Sequence, residues 1–225
     1  MNLPDVASRD EWLVARKALL AEEKEFTRQR DALNSRRRQL PMVLVDKPYD
    51  FTGPDGELGL GELFEGRPQL VVYHFMFQPE WEGGCRNCTG FVDDIGSLDN
   101  LHRLNTTFAL VSRAPYEKLA AYKAEHGWTV PWYSSYGSDF NYDYHVTLDD
   151  SVVPFEYNYR TKAEWDLLPN NEHVQSEQPF DLHGLSCFLK VGDDVHHTYS
   201  TYGRGPDAMT FTVTAVDLTV LGRQD

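Results

Sequence analysis

The chain has 225 residues, enough for one large domain, and its 41% hydrophobic and 25% charged residues are ordinary for a globular protein. The formal net charge of −14 argues against a nucleic-acid partner, because phosphate backbones attract basic surfaces. No apolar run approaches the roughly 20 residues of a membrane helix, and the first residues lack the cationic start and apolar stretch of a signal peptide. With only 3 cysteines there is no disulfide scaffold, so a cytoplasmic protein with no membrane association is expected, its cysteines available for chemistry.

Residues 8–38 read as one helix. Ser8 and Glu11 have the spacing of a capping box, in which each side chain bonds the other's backbone N–H. Trp12, Leu19, Phe26 and Leu33 recur every seven residues, a narrow apolar stripe on a very polar helix. Such a stripe lies across the main body or against a second subunit, so a homodimer through this helix is one expected arrangement. "RRRQL" at 36–40 reads as a solvated helix face, and Pro41 ends an N-terminal helical extension at residues 1–41.

Residues 42–225 read as an α/β domain. "MVLV" is a short strand candidate, and "YDFTGPDGELGLGELF" offers a turn at Gly53-Pro54-Asp55-Gly56 followed by a short helix. "QLVVYHFMF" (69–77) is a nearly unbroken apolar run with β-branched and aromatic residues, which predicts a strand buried on both faces. A loop leads to "GGCRNCTGF", after which Phe91, Val92, Ile95, Leu98 and Leu101 fit one helix packed on a sheet. "TFALVS" (107–112) is the next strand, Pro115 and Gly127 bracket a helix, and "VPWYSS" (130–135) is another strand.

Residues 138–180 are polar, aromatic and irregular, and are expected to run as an insertion over the surface. "LSCFLKV", "GDD" and "VHHTYST" form a hairpin, and Met209, Val213, Val216 and Val220 space out a last helix from Pro206. Strands alternating with helices, then a hairpin and a final helix, imply a three-layer α/β/α protein.

Cys85 and Cys88 thus fall after a buried strand and at the start of a helix. A helix N-terminus stabilises thiolate through its unpaired N–H groups and dipole, lowering a cysteine pKa from about 8.5 towards 7. Cys85, nearer the tip, is then the nucleophile, and Cys88 the resolving thiol. Arg86 adds positive charge beside them. The spacing also suits soft-metal ligands or a buried structural pair, although zinc wants four ligands and no second Cys-x-x-Cys exists. His74 is a candidate base or metal neighbour, with a hydrogen-bonded core histidine as the plainer reading. Cys187 either faces the site or fills the core. Trp128, Trp132, Ser134, Asp139, Asn141 and Tyr144 could line a pocket at the strand ends, or form a loop packed by its own aromatics.

The stretches "EKEFTRQRDAL", "RRRQLP", "YHFMF", "GCRNCTGFVDDI", "HGWTVPWYSS", "SDFNYDY" and "HTYSTYGRG" cover nearly the full chain. Together they resemble a bacterial family of thioredoxin-like proteins of unknown function, on the peroxiredoxin-like branch, often labelled predicted dithiol-disulfide oxidoreductases. The resemblance implies a thioredoxin-like fold and a thiol–disulfide exchange that requires no cofactor, acting on a small-molecule or protein thiol or disulfide. Three departures from relatives of that fold stand out. Ser186 stands where thioredoxins carry a cis-proline facing the cysteines. A cis bond there would cost about 3 kcal/mol, so a trans peptide and an altered substrate groove are expected. Arg86-Asn87 replaces the Gly-Pro interior of thioredoxin. "EWEGGCRNC" lacks the Pro-x-x-x-Thr-x-x-Cys context of a peroxidatic cysteine.

The alternative reading is a copper-binding thioredoxin-fold protein or a copper-dependent oxidase. His183, five residues before Phe188-Leu189, resembles the histidine of the thioredoxin-like copper proteins that assemble cytochrome oxidase. Cys85, Cys88 and His183 would then be the ligands, soft thiolates and an imidazole being suited to that metal.

Overall fold

The computed structural model describes residues 3–169 and 171–223. Helix α1 (Arg9–Arg37) begins as its capping box requires: the Glu11 N–H donates to Ser8 Oγ at 3.3 Å, and the Ser8 N–H donates to Glu11 Oε2 at 2.9 Å. No residue of α1 is buried, and Trp12, Leu19, Phe26 and Leu33 are 46%, 51%, 65% and 39% exposed. The apolar stripe therefore does not lie across the body of its own chain. Among the described residues no helix is long and apolar enough to cross a membrane.

After α1 come β1 (Val43–Leu44), β2 (Asp50–Gly53), β3 (Gly56–Gly59), β4 (Gln69–His74), α2 (Arg86–Asp93), α3 (Asp99–Arg103), β5 (Thr106–Ser112), α4 (Tyr116–Glu125) and β6 (Trp132–Ser134). The expected insertion holds α5 (Phe140–Asp143), β7 (Thr147–Leu148), β8 (Glu156–Tyr157), β9 (Arg160–Thr161) and α6 (Lys162–Asp166). Strands β10 (Phe180–Asp181), β11 (Gly184–Val191) and β12 (Asp194–Tyr202) follow, with α7 (Phe211–Val216) last.

The main sheet has the order β1-β12-β11-β4-β5-β6-β2-β3. β4, β5 and β6 run parallel, joined by crossovers through α2–α3 and α4, while the β11–β12 hairpin pairs antiparallel to β4. This is the thioredoxin-like arrangement, with the cysteine helix following the central strand. Alternation along β4 sorts its side chains. Leu70 and Val72 join one core with Phe51, Leu63, Phe64, Phe140 and Phe188. Tyr73 joins the opposite core with Phe75, Cys88, Phe91, Leu119 and Trp132. α2, α3 and α4 all cover this second face; turns around Leu63 and Phe64 and the short α5 cover the first.

Four expectations need correction. The turn at 53–56 exists, but it closes the β2–β3 hairpin, and residues 60–66 form turns rather than a helix. Glycines at 59, 61 and 66 disfavour a helix, and Glu62 instead accepts the Gly59 N–H at 2.8 Å. The single helix expected after the cysteines is split between α2 and α3. Gly96 interrupts it, and Ser97 Oγ accepts the Asp99 N–H at 3.1 Å at the restart. The last helix is likewise divided into a 3₁₀ turn at Gly205–Met209 and α7 by the extended Thr210 (φ −90, ψ 126).

The segment 138–180 is not a surface excursion. Val146, Leu148, Phe155, Tyr157, Trp165 and Val174 form a third core, closed by Leu182 and Tyr202 from the hairpin. It is tied to the sheet by Asp181, whose Oδ1 accepts from Arg113 Nε at 2.7 Å and Thr147 Oγ1 at 2.8 Å. Its aromatic residues supply enough apolar area for a core of their own, without periodicity that a sequence pattern could report.

Candidate functional site

The strand β4 delivers the chain to a loop that turns back onto it. The Cys85 N–H donates to the Met76 carbonyl at 3.0 Å. Gly84 lies so close to Phe75 that an added Cβ would stand 2.5 Å from Phe75 Cε1. Cys85 is then the N-cap of α2, and its own carbonyl accepts from the Thr89 N–H at 2.9 Å and Thr89 Oγ1 at 3.0 Å.

The two thiols have different environments. Cys85 is partly exposed; Cys88 is buried at 1% exposure. A hydrogen bond from the Cys88 thiol, aided by the backbone N–H groups of Cys88 and Asn87 and by the charge of His183, outweighs partial burial and lowers the Cys85 pKa to about 6. Burial, reinforced by the neighbouring Cys85, pushes the Cys88 thiol well above its ordinary range. The helix tip thus favours the thiolate at Cys85 and the thiol at Cys88. The Tyr73 hydroxyl beside Cys88 opposes that rise, and the Tyr73 ring stacks on Phe91 with centroids 4.1 Å apart.

The pair opens into a cleft of about 830 Å³. It is lined by Cys85, Cys88 and Phe91 together with Tyr157, Leu182 and His183, and by the charged Arg204 and Asp207. Arg86 lines the cleft and is exposed. His183 reaches it too, although the sequence marked it only through the copper resemblance. Tyr73, Tyr157 and Gly203 were missed, because a tyrosine in a strand and a glycine in a turn carry no chemical signature on their own.

Other candidates fall elsewhere. His74 is adjacent to Tyr73 and therefore points to the opposite face of the sheet. Its Nε2 bonds Ser186 Oγ at 2.8 Å, Ser186 Oγ bonds Ser200 Oγ at 2.8 Å, and Ser200 Oγ bonds His197 Nε2 at 2.7 Å. Burial first, then the neighbouring His197, lowers the His74 pKa to about 3, so it is a neutral core residue and no base for the cysteines. Ser186 also points away from them. The wall that meets the cysteines is set by Leu182 and His183, just before β11. Among the described residues the one cis peptide is Gln178–Pro179, so the bond before Ser186 is trans as expected.

Trp132 is 2% exposed and lines no part of the cleft; its Nε1–H donates to Ser112 Oγ at 3.0 Å behind the cysteine helix. Ser134, Asn141 and Tyr144 are buried as well, so the aromatic segment is core rather than pocket wall. Cys187 packs against the same core as Cys88, with its pKa raised to about 11 by burial.

The copper donor set does not fit. Cys85, Cys88 and His183 share the cleft, but among the described residues no three His, Cys, Asp or Glu side chains form a group that could hold a metal ion.

The whole chain, residues 1–225, matches the model of a bacterial protein family of unknown function, DUF899. No curated protein sequence matches it. Among solved structures it is similar to the peroxidoxin BcpB of Mycobacterium tuberculosis, at 12% identity over 79% of this chain and 96% of that one, with a TM-score of 0.44. A mutant of peroxiredoxin Q from Xanthomonas campestris is similar at 14% identity over 78% and 95% of the two chains, with a TM-score of 0.41. A putative protein disulfide isomerase from Bacteroides thetaiotaomicron is 20% identical over 44% and 65%, with a TM-score of 0.30. A family match along its whole length makes this chain a member of the DUF899 family of bacterial proteins of unknown function.

Proposed function

We propose that the protein is a thiol–disulfide oxidoreductase in which Cys85 attacks and Cys88 resolves. The observation that carries this reading is the split between the two thiols: a partly exposed Cys85 with its pKa lowered to about 6 beside a buried Cys88 whose pKa is raised. The thiolate is the nucleophilic form, and at neutral pH it predominates at Cys85.

The Cys85 sulfur attacks one sulfur of a substrate disulfide. A mixed disulfide forms, and the second substrate sulfur leaves as a thiolate that takes up a proton. Cys88 then loses its proton and attacks the Cys85 sulfur, which closes the Cys85–Cys88 bond and releases the second substrate thiol. The substrate gains two electrons and two protons, and the protein dithiol loses them. An external thiol reductant returns the pair to the dithiol. The recessed cleft, of about 830 Å³, suits a low-molecular-weight disulfide with an apolar body, and Arg86 at the helix tip favours one with an anionic group.

The test is turnover of a small disulfide in the presence of a thiol reductant. Cys85→Ser is expected to abolish it, and Cys88→Ser to accumulate a mixed disulfide on Cys85 visible by intact mass. If both variants turn over like wild type, the reading is wrong.

A further inference from the structure

Three hydrogen bonds close a ring around His183. The Gly203 N–H donates to Tyr157 Oη at 2.9 Å, the Tyr157 hydroxyl donates to the His183 carbonyl at 3.1 Å, and His183 Nε2 meets the Gly203 carbonyl at 2.8 Å. A carbonyl oxygen only accepts, so Nε2 must carry the hydrogen and Nδ1 is left as the nitrogen that can take up a proton. Gly203 can close the ring because its φ of 55 lies in the left-handed region, which a side chain would disfavour. All three residues line the cleft that Cys85 and Cys88 open into.

We propose that His183 is the proton-transfer residue of this cleft, its Nδ1 presented to the Cys85 side by the ring with Tyr157 and Gly203. The role rests on the thiol–disulfide reading above. Nδ1 accepts the proton as Cys85 becomes the thiolate, and the resulting imidazolium pairs with it. After Cys85 attacks, the imidazolium returns the same proton to the departing substrate sulfur, so protons balance within the step. Tyr157 and Gly203 act as positioning residues.

The surroundings favour this assignment. The charged side chains that share the cleft are Arg86, Asp93, Asp94, Arg204, Asp207 and Arg223. Arg204 and Arg223 both pair with Asp207, at 3.1 and 3.2 Å. Asp94 accepts from Thr212 Oγ1 at 2.7 Å, and Asp93 accepts from Trp128 Nε1 at 2.8 Å. Carboxyl and guanidinium groups ordinarily titrate far from neutrality, which leaves imidazole and thiol as the groups in this cleft suited to pass a proton at pH 7. The lowered Cys85 pKa, to which His183 contributes, agrees with the placement.

The deciding experiment uses the reduced full chain and its His183→Asn variant. Alkylation of Cys85 by iodoacetamide is followed across pH by peptide mass spectrometry, and turnover is compared on an alkyl disulfide and an aromatic disulfide. The alkylation midpoint is expected to move upward by about one pH unit in the variant. Turnover of the alkyl disulfide, whose leaving thiolate is strongly basic, should fall about a hundredfold, against a much smaller loss on the aromatic one. A midpoint that stays in place, or equal losses on both substrates, overturns the proposal. Should His183→Asn fail to fold by circular dichroism, Tyr157→Phe takes its place, with the same two readouts and the same results for or against. Absence of any disulfide turnover in the wild type would sink the oxidoreductase reading, while the alkylation profile would still judge the Cys85–His183 coupling.

Discussion

Tyr73 and His74, neighbours on β4, serve opposite faces of the sheet: Tyr73 joins the core that holds Cys88 and Phe91, and His74 Nε2 bonds Ser186 Oγ at 2.8 Å. Strand alternation makes that division unavoidable. It sets a tyrosine, rather than the histidine beside it, against the Cys88 thiol.

Removing the Tyr73 hydroxyl should slow the second chemical step. In Tyr73→Phe the Cys88 thiolate loses a hydrogen-bond donor worth about 1 kcal/mol, so resolution should slow roughly fivefold. Rapid quench with mass analysis should then show the mixed disulfide on Cys85 building up transiently, while the rate of its formation stays near wild type.

The thiol pair should also make stability depend on pH. The folded Cys85 pKa is depressed from 9.0 to about 6, so the unfolded state binds the proton more tightly. Its stabilising contribution is therefore fully present above pH 9 and is lost as pH falls through 6. Urea denaturation of the reduced protein should show the wild type gaining stability over Cys85→Ser between about pH 6 and about pH 9. The Cys85–Cys88 disulfide form has no such proton to lose and should lack the gain.

Gly84→Ala tests the close approach behind the nucleophile. Its Cβ would sit 2.5 Å from Phe75 Cε1 and 2.8 Å from Cζ, and Phe75 is itself 1% exposed in the core. Overpacking of this kind costs about 1–3 kcal/mol, and the displaced loop should also slow Cys85 alkylation. Urea midpoints and alkylation rates measure the two effects.

The buried ion pair is the fourth test. Asp181 is 1% exposed and accepts from Arg113 Nε at 2.7 Å. Asp181→Ala leaves the guanidinium buried without its counter-charge, which should cost about 3–5 kcal/mol by chemical denaturation. Because Asp181 leads directly into Leu182 and His183, disulfide turnover should fall even where the variant remains folded.

Much of the frame was legible in the sequence. The capping box at Ser8 and Glu11, the unbroken apolar run of β4 and the placement of Cys85 at a helix tip are local signals, each read within a few residues. Full-length resemblance to a thioredoxin-like family then implied the three-layer fold. Local signals fail where partners lie far apart in the chain. His74 and Trp132 carried the right chemistry at the right distance along the sequence, yet one is turned to the opposite core and the other lies behind the helix. The segment 138–180 hid a core because its aromatics follow no period.

Sequence by itself determined which residues are chemically able: two cysteines spaced for exchange, preceded by a buried strand and followed by a helix. Only the tertiary structure decided which groups meet them. The cleft that Cys85 opens into is lined by Tyr157, His183 and Gly203, as far as 46 residues apart and joined by hydrogen bonds that exist only once the third core closes on the β11–β12 hairpin. Ionisation is decided at the same moment, since burial keeps Cys88 protonated and its hydrogen bond then holds Cys85 as thiolate, two environments that identical side chains cannot have before folding.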